Sequence, residues 1–200
     1  MEVFTRSMPV IYGLALILFS CNAAPATGQS HSSAKTSESA EQDEVARWPK
    51  PVTTIQGIPV YEEFSQVEPF FHFDNDTTYV INFWATWCKP CVEELPYFEE
   101  LTAAYEGQKV RVILISLDFP RQFESKLAPF VREREMQSEV IALADGRYND
   151  WIDKVSTEWT GAIPATYVYK GEESRFIGNS VKSMAELEAV ANPLITGNKR

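Results

Sequence analysis

Two cysteines three residues apart are the residues of this sequence that most directly indicate chemistry. Cys88 and Cys91 follow an apolar run over residues 79–84, typical of a β-strand, and they precede apolar residues with helical spacing. A thiol at the start of a helix lies beside backbone N–H groups without intrahelical partners, and the helix dipole there favours the thiolate. Cys88 is therefore predicted to be a solvent-accessible nucleophile. Cys91, one turn into the helix, is close enough to form a disulfide with it, so the pair predicts thiol–disulfide exchange.

A Cys-x-x-Cys pair can also be half of a zinc site, which requires four ligands of the Cys and His types. The chain has one further cysteine, Cys21, and two histidines, His31 and His72, and neither histidine belongs to a pair with ligand spacing. We therefore expect no metal and no bound cofactor, so that the redox group is the disulfide itself. A purely structural disulfide is the other alternative, but a domain of about 150 residues buries enough surface to fold without one.

The helix that carries the cysteines is predicted to lie between two strands of a sheet. Apolar residues recur at helical spacing after Cys91, namely Val92, Leu95, Phe98, Leu101 and Tyr105. The run over residues 110–117 is almost continuously apolar and β-branched, as expected of a central strand covered on both faces. Residues 79–117 therefore read as strand, helix, strand, with Cys88 just after the first strand.

Similar periodicities divide the rest of the chain. They predict a helix over 123–131, a strand over 140–144, a helix over 148–155, a β-hairpin with strands over 166–169 and 175–177, and a last helix that begins at the capping-box sequence of residues 183–186. Strands and helices that alternate in this way predict an α/β fold, in which helices flank a central sheet.

On these elements the sequence resembles a known family. The run from Asn82 to Cys91, followed by Glu94-Leu95-Pro96, is similar to the active-site strand and helix of thioredoxin-like proteins, specifically the membrane-associated TlpA/ResA-like thiol–disulfide oxidoreductases. Residues 161–166, Gly-Ala-Ile-Pro-Ala-Thr, resemble the loop that carries the family's cis-proline. The resemblance covers about residues 55–195. It implies a thioredoxin-like central mixed sheet, with an extra strand and helix over 137–156 inserted before the cis-proline loop.

The resemblance also implies roles for residues around the cysteines. Pro164, in the cis form, would lie beside Cys88 and line a substrate groove, the backbone of Ile163 would pair with an extended substrate chain, and Trp87 would contact the substrate. The substrates would be protein disulfides or dithiols, exchanged in a ping-pong mechanism in which Cys91 resolves a mixed disulfide. A membrane protein would donate or accept the electrons, and many relatives serve cytochrome c maturation.

Two positions depart from the pattern of thioredoxins. Thioredoxins carry a buried aspartate two residues before the tryptophan of this strand, which is thought to move the proton of the second cysteine; here that residue is Asn82, which cannot titrate. Lys89 stands where many relatives have glycine and adds a positive charge near Cys88. Glu94 could serve as a nearby base, but we expect it to be an ordinary exposed carboxylate of the helix.

The N-terminus resembles a bacterial export signal. Arg6 is followed by a ten-residue apolar run over residues 10–19, too short to span a bilayer as a stable helix. Residues 18–21, Leu-Phe-Ser-Cys, resemble a lipobox, so residues 1–20 are predicted to be a cleaved signal peptide and Cys21 the lipidated first residue of a protein anchored in the bacterial cell envelope and facing the periplasm. Cleavage after residues 24–26 is the alternative, and it would give a soluble exported protein.

Composition divides the mature chain into a tether and a domain. Residues 21–50 are rich in small and polar residues and are predicted to be a disordered tether, because they cannot bury enough apolar surface to offset the entropy of ordering. Residues 51–200 are predicted to form the thioredoxin-like domain. The net charge of −10 argues against binding to nucleic acid and against adhesion to a membrane through a basic patch.

Two other functions are compatible with the same fold. A peroxidase would need its reactive cysteine activated by a neighbouring threonine and arginine, whereas here a second cysteine follows Cys88 in a Trp-Cys-x-x-Cys frame. A binding module without catalytic activity would have no need of both cysteines, and both are present. The sequence therefore favours a disulfide oxidoreductase over these alternatives.

Overall fold

A seven-stranded sheet runs through the part of the chain that the computed structural model describes, residues 48–197. Its strands are β1 (Thr53–Ile55), β2 (Ile58–Tyr61), β3 (Thr78–Trp84), β4 (Val110–Ser116), β5 (Glu139–Leu143), β6 (Ala165–Lys170) and β7 (Glu173–Ile177). Their order is β1-β2-β5-β4-β3-β6-β7. The pairs β2–β5, β5–β4 and β4–β3 are parallel, and the pairs β1–β2, β3–β6 and β6–β7 are antiparallel. This mixed sheet confirms the predicted fold class.

Helices cover both faces of the sheet. They are α1 (Phe64–Val67), α2 (Lys89–Ala104), α3 (Ala128–Glu133), α4 (Ile152–Val155) and α5 (Met184–Ile195). One buried apolar cluster includes residues of α2, α3 and α5, and a second cluster on the other face includes residues of α1 and α4. Within residues 48–197, none of the helices is long and apolar enough to cross a membrane.

Strand β3 is an interior strand of the sheet, and it determines which residues lie under the cysteines. All of its residues are buried, and it pairs with β4 on one side and β6 on the other. Because successive residues of a strand point to opposite faces, Asn82 and Trp84 share one face, whereas Ile81 and Phe83 belong to the apolar cluster on the other. Asn82 therefore lies under α2, the helix that carries the cysteines, and hydrogen bonds to that helix.

The N-terminal hairpin of β1 and β2 was not predicted from the sequence. Two of the three residues of β1, Thr53 and Thr54, are exposed, so no apolar alternation marks the strand. The connecting residues Gln56 and Gly57 both have positive φ angles, 48° and 92°. Two such residues form the tight turn that matches the twist of a hairpin, but Gln-Gly is a weaker signal for it than Asn-Gly or Asp-Gly.

The folded part of the chain includes the last residues of the predicted tether. The ring of Trp48 lies edge-on to Phe70 at 5.0 Å between centroids, and the guanidinium of Arg111 lies 5.1 Å from the Trp48 ring. The Tyr61 hydroxyl donates to the carbonyl of Pro49 at 2.7 Å. The domain therefore begins before the predicted boundary at residue 51. The rest of the predicted tether and the predicted signal peptide, with Cys21, lie outside the described residues.

Two predicted helices are each divided in the structure. The segment predicted over 123–131 consists of a π-helical turn, Phe123–Leu127, followed by α3. Pro129 lies in the first turn of α3 and has no N–H to donate to the π-helical turn that precedes it. The segment predicted over 148–155 consists of a 3-10 turn, Tyr148–Asp150, followed by α4. The apolar periodicity predicts that these segments are helical, but it does not distinguish one type of helical turn from another.

Candidate active site

Cys88 and Cys91 form a disulfide at the N-terminal end of α2. Cys88 is the N-cap of the helix: its carbonyl accepts the N–H of Val92 at 3.0 Å, and its own N–H donates to the carbonyl of Ala85 at 3.1 Å. Cys88 keeps 6% of its surface exposed and Cys91 none. Cys88 is therefore more enclosed than the sequence predicted, but of the two cysteines it is the one that a substrate can reach.

A buried carboxylate holds the loop that presents Cys88. Asp118, two residues after the end of β4, accepts hydrogen bonds from the backbone N–H of Thr86 at 3.0 Å and from the Thr86 hydroxyl at 2.5 Å. The Ser116 hydroxyl donates to the same carboxylate at 2.8 Å, and Asp118 is only 2% exposed. Because β3 and β4 are parallel neighbours, their carboxyl ends meet at this edge of the sheet. Asp118 therefore fixes the loop between β3 and α2 to the end of β4.

The loop before β6 lies against Cys88 from another direction. The Ile163–Pro164 peptide bond is cis, as the resemblance implied. The carbonyl oxygen of Ile163 is 3.8 Å from Cys88 Sγ, a distance at which the thiol of the reduced form could donate a weak hydrogen bond. The indole N–H of Trp159 donates to the Ala162 carbonyl at 2.7 Å, and this bond ties the loop to the second apolar cluster, to which Trp159 belongs.

Trp87, the remaining residue that the resemblance implied for substrate contact, projects into solvent. It is 53% exposed and immediately precedes Cys88. Ile163 is half-buried and Pro164 is buried. The loop before α2 and the loop before β6 therefore both bring a residue predicted to contact the substrate to the surroundings of Cys88.

The expectation that Glu94 is an exposed helix carboxylate is wrong. Glu94 is 1% exposed. One of its carboxylate oxygens accepts the side-chain amide of Asn82 at 2.8 Å, and the other accepts the backbone N–H of Val181 at 2.7 Å. The same amide group of Asn82 donates to the Thr166 hydroxyl at 3.0 Å. Glu94 therefore faces the sheet and contacts Asn82, which stands at the position of the buried aspartate of thioredoxins.

Burial gives this carboxylate an unusual affinity for protons. Removal of Glu94 from water raises its pKa to about 7, although the hydrogen bonds from the Val181 N–H and the Asn82 amide act in the opposite direction. Glu94 lies three residues after Cys91 on α2, and residues at this spacing are neighbours on one face of a helix. Beside Cys91 the site therefore holds the Glu94 carboxylate, which can take up or release a proton near neutral pH.

Two curated relatives match part of the chain. The thiol–disulfide oxidoreductase ResA of Oceanobacillus iheyensis is 31% identical over 117 residues, which are 58% of this chain and 56% of that protein. The ResA protein of Bacillus cereus is 28% identical over 113 residues, 53% of this chain and 58% of that protein. The chain therefore spans somewhat more than half the length of these relatives.

A solved structure and a family profile agree with the fold. The thioredoxin-related protein from Neisseria meningitidis serogroup B superimposes with a TM-score of 0.51 and 19% identity, over 60% of this chain and 85% of that one. The profile of the AhpC/TSA family matches residues 70–174, slightly more than half of the chain and including both cysteines and the cis-proline. The chain therefore belongs to the AhpC/TSA family, with a thioredoxin-like fold.

Proposed function

We propose that the protein is a thiol–disulfide oxidoreductase that exchanges disulfides with protein substrates through Cys88 and Cys91. The observation that carries the proposal is a disulfide at the start of a long helix, with one cysteine that retains some exposure, one fully buried, and a cis-proline loop in contact with the first. The name that the relatives carry, thiol–disulfide oxidoreductase, supports it.

The first step is attack by the Cys88 thiolate on a substrate disulfide. A bond forms between Cys88 Sγ and one substrate sulfur, the substrate S–S bond breaks, and the other substrate sulfur leaves as a thiolate. The N-terminal end of α2 stabilises the negative charge on Cys88, both before attack and when Cys88 is later a leaving group in the reverse direction. Trp87, Ile163 and Pro164 line the groove that holds the substrate chain.

The second step is resolution of the mixed disulfide by Cys91. The Cys91 thiol loses its proton to the Glu94 carboxylate, and its sulfur then attacks Cys88 Sγ, which reforms the internal disulfide and releases the substrate as a thiolate. Glu94 is suited to this task because its pKa of about 7 lets it accept a proton near neutral pH and release it again. Run in reverse, the same steps oxidise a substrate dithiol.

The function is tested by comparing two oxidants of the reduced protein. Reduced protein is expected to cleave the disulfides of insulin or of a short disulfide-bonded peptide with a stoichiometry of one protein disulfide formed per substrate disulfide cleaved. The rate with hydrogen peroxide is expected to be no higher than that of a free thiol of similar pKa. Fast reduction of peroxide together with slow exchange with peptide disulfides would favour the peroxidase alternative instead.

We also propose that the protein works in the bacterial cell envelope, on a membrane facing the periplasm. Removal of residues 1–20 and lipidation of Cys21 would leave Cys88 and Cys91 as the two cysteines available for exchange. A membrane protein would supply or remove electrons, and cytochrome c maturation is one process that such a reductase would serve. An exported domain also operates where disulfides form and persist.

The mature protein is expected to begin at a lipidated Cys21. The lipobox-like residues 18–21 support this start, and a mass measurement of the intact protein after extraction from membranes checks it. Cys21→Ala is expected to stop lipidation and to reduce the membrane-bound fraction strongly. A mature chain that begins at Thr27, or a Cys21→Ala variant that remains fully in the membrane fraction, would contradict the anchor.

A further inference from the structure

Two exposed aromatic side chains lie in contact beside the disulfide. Within residues 48–197, four large hydrophobic residues are strongly exposed: Val52, Trp87, Phe119 and Tyr148. Two of them, Trp87 and Phe119, stack on each other with ring centroids 6.0 Å apart and an interplanar angle of 22°. Even in this pair Trp87 remains 53% exposed and Phe119 48% exposed. The contact therefore covers only part of each ring and leaves a continuous apolar surface next to Cys88.

The backbone holds both rings in place. Asp118, which anchors the Thr86 backbone and side chain, immediately precedes Phe119. Pro120 follows it and begins a 3-10 turn, in which the N–H of Gln122 donates to the Phe119 carbonyl at 2.7 Å. Phe119 is thus fixed between a buried carboxylate and a proline. A surface that is already ordered loses little entropy when a partner binds to it.

A cation extends the aromatic pair. The guanidinium carbon of Arg121 lies 5.4 Å from the centroid of the Phe119 ring. Arg121 is exposed, and within the described part of the chain no carboxylate forms an ion pair with it. Its charge stands out on a chain whose net charge is −10. The surface therefore offers two apolar faces followed by a positive charge that is free to pair with a partner's carboxylate.

We propose that Trp87, Phe119 and Arg121 form a substrate-selecting surface, which binds the segment of a substrate polypeptide that adjoins its reacting cysteine. The inference rests on the proposed function and specifies its substrate class: polypeptides with an apolar or aromatic side chain close to the cysteine and an acidic side chain beyond it. The surface is continuous with the reaction site because Trp87 directly precedes Cys88. A chain whose sulfur reaches Cys88 therefore passes within reach of Trp87.

The spacing of the surface limits where the selected side chains lie in the substrate. An extended chain advances about 3.3 Å per residue, so the 6.0 Å between the two ring centroids corresponds to about two residues. With the substrate residue next to the reacting cysteine over Trp87, an apolar side chain about two positions beyond that residue would contact Phe119, and an acidic side chain about two positions further would pair with Arg121. Aromatic contacts and charge-assisted hydrogen bonds each add to affinity at such surfaces.

The test uses peptides whose cysteine carries thionitrobenzoate in a mixed disulfide, so that each exchange releases a coloured thiol. One peptide has Trp and Asp at these positions on both sides of the cysteine, and the other has Ser at the same positions. The readout is the ratio of the second-order rate constants with which reduced protein releases thionitrobenzoate from the first peptide and from the second. This ratio cancels any effect of a variant on the reactivity of Cys88 itself.

The wild-type ratio is expected to be about tenfold, in line with one good aromatic contact and one ion pair at a partly exposed site. Phe119→Ser is expected to reduce the ratio about fivefold, and Arg121→Glu to remove the preference for Asp and the salt dependence that accompanies it. Val52→Ser, which removes an exposed apolar side chain of the N-terminal hairpin segment, is the matched control and is expected to keep the wild-type ratio.

A wild-type ratio close to one, or Phe119→Ser and Arg121→Glu variants that both keep the wild-type ratio, would overturn the inference. Failure of the proposed function would give a different result. The wild-type protein would then release thionitrobenzoate from either peptide no faster than a Cys88→Ser variant does. Near-ultraviolet circular dichroism of each variant checks that the fold is retained. Arg121→Glu changes an exposed residue and so gives a second readout if Phe119→Ser disturbs the loop.

Discussion

Replacement of Cys88 with Ser is expected to lower the rate of peptide disulfide reduction by on the order of 10³-fold or more, because the hydroxyl cannot replace the thiolate as nucleophile. Cys91→Ser is expected to behave differently. This variant retains the Cys88 nucleophile but lacks the thiol that resolves the mixed disulfide. It should therefore accumulate a mixed disulfide with the substrate and turn over only as fast as an external thiol cleaves that disulfide. The two variants are compared by turnover and by non-reducing gel electrophoresis.

The asymmetry between these variants follows from burial. Cys88 retains 6% of its surface, whereas Cys91 is fully enclosed under the first turn of α2. With the disulfide reduced, iodoacetamide should therefore modify Cys88 well before Cys91. Equal trapping by the two variants, or wild-type turnover in either of them, would mean that the disulfide has a structural role instead.

Glu94→Gln is expected to slow resolution of the mixed disulfide about 10- to 100-fold at pH 7, since Cys91 then loses the group that accepts its proton. In the wild type the rate should rise between pH 6 and pH 8, because Glu94 ionises with a pKa of about 7 and only the ionised carboxylate can accept the proton. The variant should lack this inflection. Rapid mixing of reduced protein with a peptide disulfide, followed by detection of the second thiol released, isolates the resolution step.

A stability measurement tests the raised pKa of Glu94 independently of catalysis. The pKa of Glu94 is raised in the folded state from an ordinary value of 4.5 to about 7, so the folded protein holds a proton that the unfolded chain has lost over this pH range. The free energy of unfolding contributed by Glu94 is therefore highest below pH 4.5 and falls by about 3 kcal/mol as the pH rises through 7. Oxidised Glu94→Gln protein should lack this loss in denaturant titrations.

Glu93→Gln provides the matched control for both experiments. Glu93 precedes Glu94 on the same helix, but its side chain is 63% exposed and forms an i,i+4 ion pair with Lys89 at 3.6 Å. Its replacement should change neither the pH dependence of resolution nor that of unfolding by a measurable amount. If Glu93→Gln and Glu94→Gln have the same effect on resolution, the proton does not pass through Glu94.

The pairing of Cys88 and Cys91 could be predicted because its signal is local. A buried strand, two thiols one turn apart and a helix with regular apolar spacing all lie within residues 79–105. The parallel pairing of β3 with β4 follows from the same pattern, since a helix that connects two adjacent strands requires them to be parallel. The cis-proline loop was placed through the resemblance of residues 161–166, not through a physical signal.

The role of Glu94 could not be predicted because its partners are distant in sequence. One is Asn82 on β3, and the other is the backbone of Val181, 87 residues further along the chain. Helical spacing alone does not tell whether a carboxylate beside apolar residues faces water or the sheet. The useful signal was Asn82 itself, since a buried amide in a mostly apolar strand requires a polar partner. Asp118 was missed for the same reason, because its contacts with Thr86 depend on how neighbouring strands end.

The mass of the mixed disulfide tests directly whether Cys88 is the nucleophile. Reduced Cys91→Ser protein is mixed with a disulfide-bonded peptide, quenched with acid and digested. We expect a single adduct in which the peptide sulfur is bonded to Cys88, with one thiol released per adduct. Reduced wild-type protein under the same conditions should end with a Cys88–Cys91 disulfide and two thiols released. An adduct that maps to a residue other than Cys88, or no adduct together with no released thiol, would contradict this expectation.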